Sequence, residues 1–237
     1  MSGYGEDSRG VWCQDSSPGT VARLARSGFD WVCLDAQHGV YGRTELLETA
    51  RAFPFDAAEL VVRVASSDFA EIGAALDVGA TTVIVPLIES VSDAERAVAA
   101  MYYPPRGSRS WGPLVQTWGR PPTGSDEANA QTSCVVMIES AAALDRVEEI
   151  ARVPGLSQLF IGPNDLSLSL GTTADELVED GSALARITAA AKANGLTVGA
   201  YGGNPAMAER FRKHDISCLV VATDGWLVSR GADAALG

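Results

Sequence analysis

The sequence predicts an α/β protein, a single-domain (β/α)8 TIM barrel, from three observations: eight short apolar runs rich in β-branched residues, helical stretches between them, and a glycine turn that recurs before several runs. Strand-helix alternation implies parallel strands, because parallel neighbours need a crossover between them. Eight such units match a closed barrel. An open doubly wound sheet would place a Gly-rich nucleotide turn after its first strand, and the chain has neither G-x-G-x-x-G nor a P-loop.

The first run, residues 11–13, follows a polar start. Residues 31–34 come after Ser27-Gly28-Phe29-Asp30, where glycine supplies a left-handed helix cap. Residues 60–64 carry Arg63 inside an otherwise apolar strand. Val78-Gly79-Ala80-Thr81 repeats the cap before residues 82–86, and amphipathic residues 92–101 follow as a helix. A long loop at about 102–132, rich in Pro, Gly, Arg and Trp, then breaks the rhythm. Connections of that length are expected to be lids, subunit contacts or mobile loops, and its Trp-rich part, residues 110–118, is expected to bear on substrate choice. Residues 134–139 place four apolar side chains before Glu139, with amphipathic residues 142–152 behind them. Pro154-Gly155-Leu156 leads into residues 158–162, Asn194-Gly195-Leu196 into 197–200, and residues 218–223 complete the eight. The short tail after Asp224 is expected to build about two helical turns.

One domain is expected over residues 1–237, since 46% hydrophobic content fills one core at a length common for this barrel. The start of the chain lacks a secretory signal and no apolar run approaches the ~20 residues that cross a bilayer, so a cytoplasmic protein without membrane partners is expected. A net charge of −12 with no basic face excludes nucleic acid. Cys13, Cys33, Cys134 and Cys218 lie in or beside apolar runs without C-x-x-C spacing, and read as buried reduced thiols.

In this fold the chemistry sits where strands end and the next loops begin. The polar residues at those points are Asp35, Gln37, His38, Arg63, Glu139, Gly162-Pro163-Asn164-Asp165 and Asp224. Glu139 and Asp165 end neighbouring strands, so the two carboxylates are placed to share one hard cation. Each also reads as a helix cap or ion-pair partner. Asp165 precedes Leu166-Ser167-Leu168 as a cap would, so the metal reading rests on Glu139. His38 has Asp35 just upstream, where a carboxylate fixes an imidazole tautomer; His214 reads as a surface residue at a helix end. A guanidinium within a strand needs an anion, so Arg63 either pairs with a site carboxylate or binds an anionic substrate. Lys192 and Lys213 both precede strands, which argues against a Schiff base and leaves carbonyl activation to a metal.

These stretches resemble the HpcH/HpaI aldolases, metal-dependent pyruvate aldolases acting on 4-hydroxy-2-oxo acids. The resemblance spans most of the chain and is carried by Asp35-Ala36-Gln37-His38, Val61-Val62-Arg63-Val64, Tyr103-Pro104-Pro105-Arg106-Gly107, Ile138-Glu139-Ser140 and, most specifically, Phe160-Ile161-Gly162-Pro163-Asn164-Asp165-Leu166-Ser167. It implies that Glu139 and Asp165 hold Mg2+ or Mn2+, with Co2+ or Zn2+ as substitutes, and that a 2-oxo acid and an aldehyde are the small-molecule partners. It implies that Arg63 steadies the enolate oxygen, that backbone amides near Gly162, Asn164 and Asp165 receive the carboxylate, and that His38, oriented by Asp35, is the acid/base. A homo-oligomer, trimer or hexamer, is also implied. The chain departs from the family in having Gln37 where glutamate is frequent and Met137 where glutamine is frequent. Alternatives from the same residues are a citrate-lyase β or malyl-CoA type of lyase, a phosphate-ligand barrel using residues 199–205 as an anion nest, and a non-catalytic binding barrel.

Overall fold

The computed structural model describes residues 4–120 and 123–237; residues 1–3 and residues 121 and 122 of the long loop lie outside the described residues. The strands β1 (Arg9–Cys13), β2 (Trp31–Asp35), β3 (Glu59–Arg63), β4 (Thr82–Val85), β5 (Ser133–Ile138), β6 (Leu156–Ile161), β7 (Thr197–Tyr201) and β8 (Cys218–Thr223) close into one parallel barrel, each beside the next and β8 beside β1. All eight predicted runs are strands.

Around the barrel run α1 (Pro18–Ala25), α2 (Arg43–Ala52), α3 (Phe69–Asp77), α4 (Val91–Met101), α5 (Ser125–Gln131), α6 (Ala141–Asp145), α7 (Val147–Ile150), α8 (Pro163–Leu170), α9 (Ala174–Asp180), α10 (Ser182–Ala193), α11 (Pro205–Arg212) and α12 (Asp224–Leu236). The helix starts are set by side-chain caps: Ser17, Asp68, Ser90, Ser140, Thr173, Asn204 and Thr223 each accept a first-turn amide. The last of these corrects the sequence reading of the tail. With Thr223 as its cap, α12 spans 13 residues, well beyond two turns.

Strand alternation sorts the apolar residues into two layers. Val11, Cys13, Val32, Leu34, Val62, Val136, Ile138, Leu159 and Ile161 face the helices, whereas Trp12, Trp31, Cys33, Val61, Ile84, Val135, Met137, Phe160, Cys218 and Val220 fill the barrel. All four cysteines are buried and free, as predicted.

The N-terminal end of the barrel is closed by polar groups that satisfy one another. Glu59 accepts from the hydroxyls of Thr81 and Thr82 at 2.8 and 2.6 Å and from the Tyr4 amide at 2.8 Å. The Tyr4 hydroxyl donates to Gln158, and Trp31 Nε1 donates to Ser8 Oγ at 3.1 Å. The long loop belongs to this end too. It contains a 3-10 turn (Leu114–Trp118) and α5, and its Arg109 reaches Asp77 at the end of α3 at 3.2 Å, while Arg120 stacks on Phe55 before β3. A connection from a helix back to a strand lies opposite the catalytic end, and residues 110–118 do not line the catalytic cavity of their own chain. His214 is half-buried, its Nε2 2.8 Å from the Val178 carbonyl oxygen.

Candidate active site

At the other end, three strands deliver polar side chains into the barrel mouth by the same two-residue step. Cys33 leads to Asp35, Val61 to Arg63 and Met137 to Glu139, each continuing an inward-facing row. The β2–β3 register sets Asp35 directly beside Arg63. Arg63 Nε donates to Asp35 Oδ1 at 2.9 Å and Nη2 to Oδ2 at 2.5 Å, with both side chains buried. Trp12 braces the pair from β1: its Nε1 donates to Asp35 Oδ2 at 3.1 Å, and the guanidinium carbon stands 5.0 Å from its ring centroid. Burial alone would push the Asp35 carboxyl up, but the Arg63 hydrogen bonds and charge, with the Trp12 and His38 donors, outweigh it and hold it below the usual range.

Asp35 therefore does not orient the His38 imidazole, which corrects the sequence reading. Its Oδ1 accepts instead from the backbone amides of Gln37 and His38 at 3.0 and 3.1 Å, fixing the loop that carries the ring. The His38 side chain is exposed and lines the cavity mouth. Gln37 Oε1 is buried and has no hydrogen-bond partner among the described residues.

Glu139 follows β5 directly and is 4% exposed, with Oε1 accepting the Leu87 amide at 2.6 Å. Leu87 makes that contact from a left-handed conformation, φ 58°, uncommon for a residue with a side chain. Gly162, across the β5–β6 pair, is close enough that a Cβ there would stand 3.0 Å from Glu139 Oε2. Asp165 is the third residue of α8, exposed toward the cavity, and the cap position belongs to Gly162 rather than to Asp165. With Pro163 at N1, the Asn164 and Asp165 amides of that first turn have no intrahelical acceptor and suit an anion.

Burial raises the Glu139 carboxyl above its usual range and nearby Asp165 adds to the rise, against the Leu87 amide, Arg63 and His38. Glu139 makes no ion pair with a side chain among the described residues. A buried carboxylate beside a second carboxylate, with no cation of its own, fits a divalent ion. No third His, Cys, Asp or Glu joins them among the described residues, so protein would fill only part of the coordination shell.

The cavity between these groups measures about 120 Å3 and includes, beyond the predicted residues, Trp12, Gln14 and Tyr201. Asp224, predicted at the catalytic end, serves the scaffold: its Oδ2 accepts from the Gln14 and Asp15 amides and the Ser16 hydroxyl at 2.9 to 3.1 Å. The turn at residues 202–204 is occupied with capping, Asn204 Oδ1 accepting the Met207 amide at 2.9 Å, and does not line the cavity. Lys192 and Lys213 sit on α10 and at the end of α11, away from it.

A closed parallel barrel whose C-terminal cavity is lined by Asp165, a histidine and a buried ion-paired arginine, with buried Glu139 just behind Gly162, has the layout of a barrel enzyme acting on a small anion. Residues 8–230 match the sequence model of the HpcH/HpaI aldolase/citrate lyase family, and the chain belongs to that family of carbon-carbon lyases. It is 34% identical over 218 residues to the 2-dehydro-3,6-dideoxy-6-sulfogluconate aldolase of Pseudomonas putida, covering 91% of this chain and 86% of that one. It is also 34% identical over 236 residues to the hydroxypyruvate/pyruvate aldolase of Paraburkholderia phytofirmans, covering 96% and 91%. Among solved structures, an HpcH/HpaI aldolase/citrate lyase family protein from Burkholderia cenocepacia superposes with a TM-score of 0.88 at 33% identity, over 98% of this chain and 93% of that one.

Proposed function

We propose that the protein is a divalent-cation-dependent pyruvate aldolase that cleaves or forms 4-hydroxy-2-oxo acids, with Glu139 and Asp165 as its cation ligands. The observation that carries the reading is the Asp35-Arg63-Trp12 unit, which aims a fixed guanidinium into the same cavity that Asp165, Gly162 and His38 line. Mg2+ or Mn2+, or Co2+ or Zn2+ in their place, would supply Lewis-acid polarisation of the 2-oxo acid.

The chain's own residues do the rest. The first-turn amides of α8 at Asn164 and Asp165 receive the substrate carboxylate. His38 takes the proton of the C4 hydroxyl, the C3–C4 bond breaks to release the aldehyde, and its electron pair moves onto the 2-oxo oxygen. Arg63 donates to that oxygen from Nη1, which Asp35 does not use. The donor is already in place when the charge develops, so it favours the transition state over the ground state. Protonation at C3 then yields pyruvate.

The reading extends to a cytoplasmic homo-oligomer, trimer or hexamer. In its support, no helix is long and apolar enough to cross a membrane among the described residues, and Val40, Phe69, Leu87 and Leu168 remain exposed around the catalytic end.

The test is proton exchange at the pyruvate methyl in D2O, followed by NMR on metal-stripped protein with and without added Mg2+ or Mn2+. Exchange that needs the cation and disappears in Glu139→Ala is the expected outcome. Absence of exchange with every cation tried overturns the reading.

A further inference from the structure

One exposed leucine holds a backbone conformation that its own side chain does not explain. Leu87 lies between β4 and α4 in the left-handed region, φ 58°, with its side chain 59% exposed. A Cβ crowds the backbone there, so the region favours glycine and, after it, asparagine and aspartate. Among the described residues the other two positive-φ positions without glycine are Asp7 and Asp215, which fit that rule. Leu87 does not, and burial of so exposed a side chain is too small to offset the strain. Whatever offsets it lies in the backbone.

The neighbouring residues show what the backbone gains. Pro86 and Ile88 on either side are buried, and Ser90 caps α4. Asp93 accepts the Glu89 amide at 3.2 Å and the Ser90 hydroxyl at 2.7 Å, so the chain is anchored both before and after residue 87. Between those anchors the Leu87 amide donates to Glu139 Oε1 at 2.6 Å, across from β4 to the end of β5. An ordinary backbone conformation at 87 would release either that amide or the buried Ile88 with the start of α4. Glu139 depends on the amide, because a buried glutamate side chain with neither an ion pair nor a fixed donor is free to turn about its bonds. With Oε1 engaged, Oε2 is left on the side of Gly162, where a Cβ would stand 3.0 Å from it, and Gly162 lines the cavity.

We propose that Leu87 is a positioning residue for the reaction: its left-handed turn aims one amide at Glu139 Oε1 and so presents Oε2 to the cation. This rests on the pyruvate aldolase reading with Glu139 as a ligand. Leu87 does not line the cavity and acts through Glu139.

Leucine and isoleucine are isomers, and at an exposed position they differ chiefly in branching at Cβ, which the left-handed region tolerates least. Leu87→Ile is expected to weaken Mn2+ binding in calorimetry about tenfold or more and to slow pyruvate methyl exchange with it. Leu87→Gly and Leu87→Asn adopt the turn readily and are expected to bind Mn2+ several-fold more tightly than Leu87→Ile, although they remove more of the side chain. Replacing the amide at 87 by an ester, with leucic acid in place of leucine, removes the N–H and keeps the side chain. That protein is expected to lose Mn2+ affinity as Leu87→Ile does, and it decides the matter should Leu87→Ile fail to fold. An ester protein that binds Mn2+ as tightly as the parent, where Glu139→Ala has lost the ion, overturns the inference and leaves the aldolase reading standing. Leu87→Gly that binds no better than Leu87→Ile overturns it too, since the side chain and not the turn would then matter. Mn2+ bound by Glu139→Ala as tightly as by the parent removes the inference and the ligand assignment together.

Discussion

At Gly162 a missing methyl group sets how closely β6 passes the end of β5. A Cβ there would stand 2.9 Å from both Glu139 Cβ and Met137 Cε. The backbone φ of −92° is open to any residue, so the constraint is space rather than conformation. Met137 has a flexible end that moves aside. Glu139 does not, because the Leu87 amide fixes Oε1 at 2.6 Å and the side chain is buried. Gly162→Ala is therefore expected to fold with a loss of about 1–3 kcal/mol, the usual penalty of overpacking, as the new methyl presses Glu139 out of the position that the Leu87 amide holds. Mn2+ affinity by calorimetry should fall about tenfold or more. A variant that loses stability yet binds Mn2+ as before would show that Glu139 is not a ligand.

Between β2 and β3 the paired register makes one unit of two residues that the sequence holds far apart. The Asp35-Arg63 pair is buried, and a carboxyl held below its unfolded value contributes stability that is fully present above that value and is lost as pH falls through the folded one. Asp35→Asn leaves a buried guanidinium unpaired and is expected to cost about 3–5 kcal/mol in urea unfolding. That cost should stay level from about pH 5 to 8 and shrink below about pH 4. A cost that changes near neutrality would contradict the pairing. The strands were legible because each apolar run is bounded by Gly or polar residues, and Asp35, Arg63 and Glu139 were legible because they end such runs. Partnerships were not. Sequence nearness suggested His38 as the partner of Asp35, whereas strand register supplies Arg63. Trp12 lies in a run too short to display alternation, so its inward position shows only in the structure. The Leu87 donor is a backbone amide, which leaves no mark in side-chain chemistry.

The two ends of the whole barrel divide stability from chemistry. Tyr4, Ser8, Glu59 and Gln158 close the N-terminal end with satisfied hydrogen bonds, and the long loop lies over that end. The catalytic end has short connections and acidic loops, with Arg63 as the cation of its cavity. Length and aromatic content made residues 110–118 look functional, yet their position after α4 puts them behind the barrel. Trp111 is 54% exposed, with its ring 5.0 Å from that of Tyr103, whose other neighbour is Arg109 at 4.4 Å. Trp111→Ala removes contact area at that end without touching a residue that lines the catalytic cavity. Stability should change by roughly 0.5–1 kcal/mol, as for a partly exposed side chain, and the rate of pyruvate methyl exchange should stay within about twofold of the parent. A larger loss of exchange at unchanged stability would mean that residues 110–118 reach the catalytic cavity.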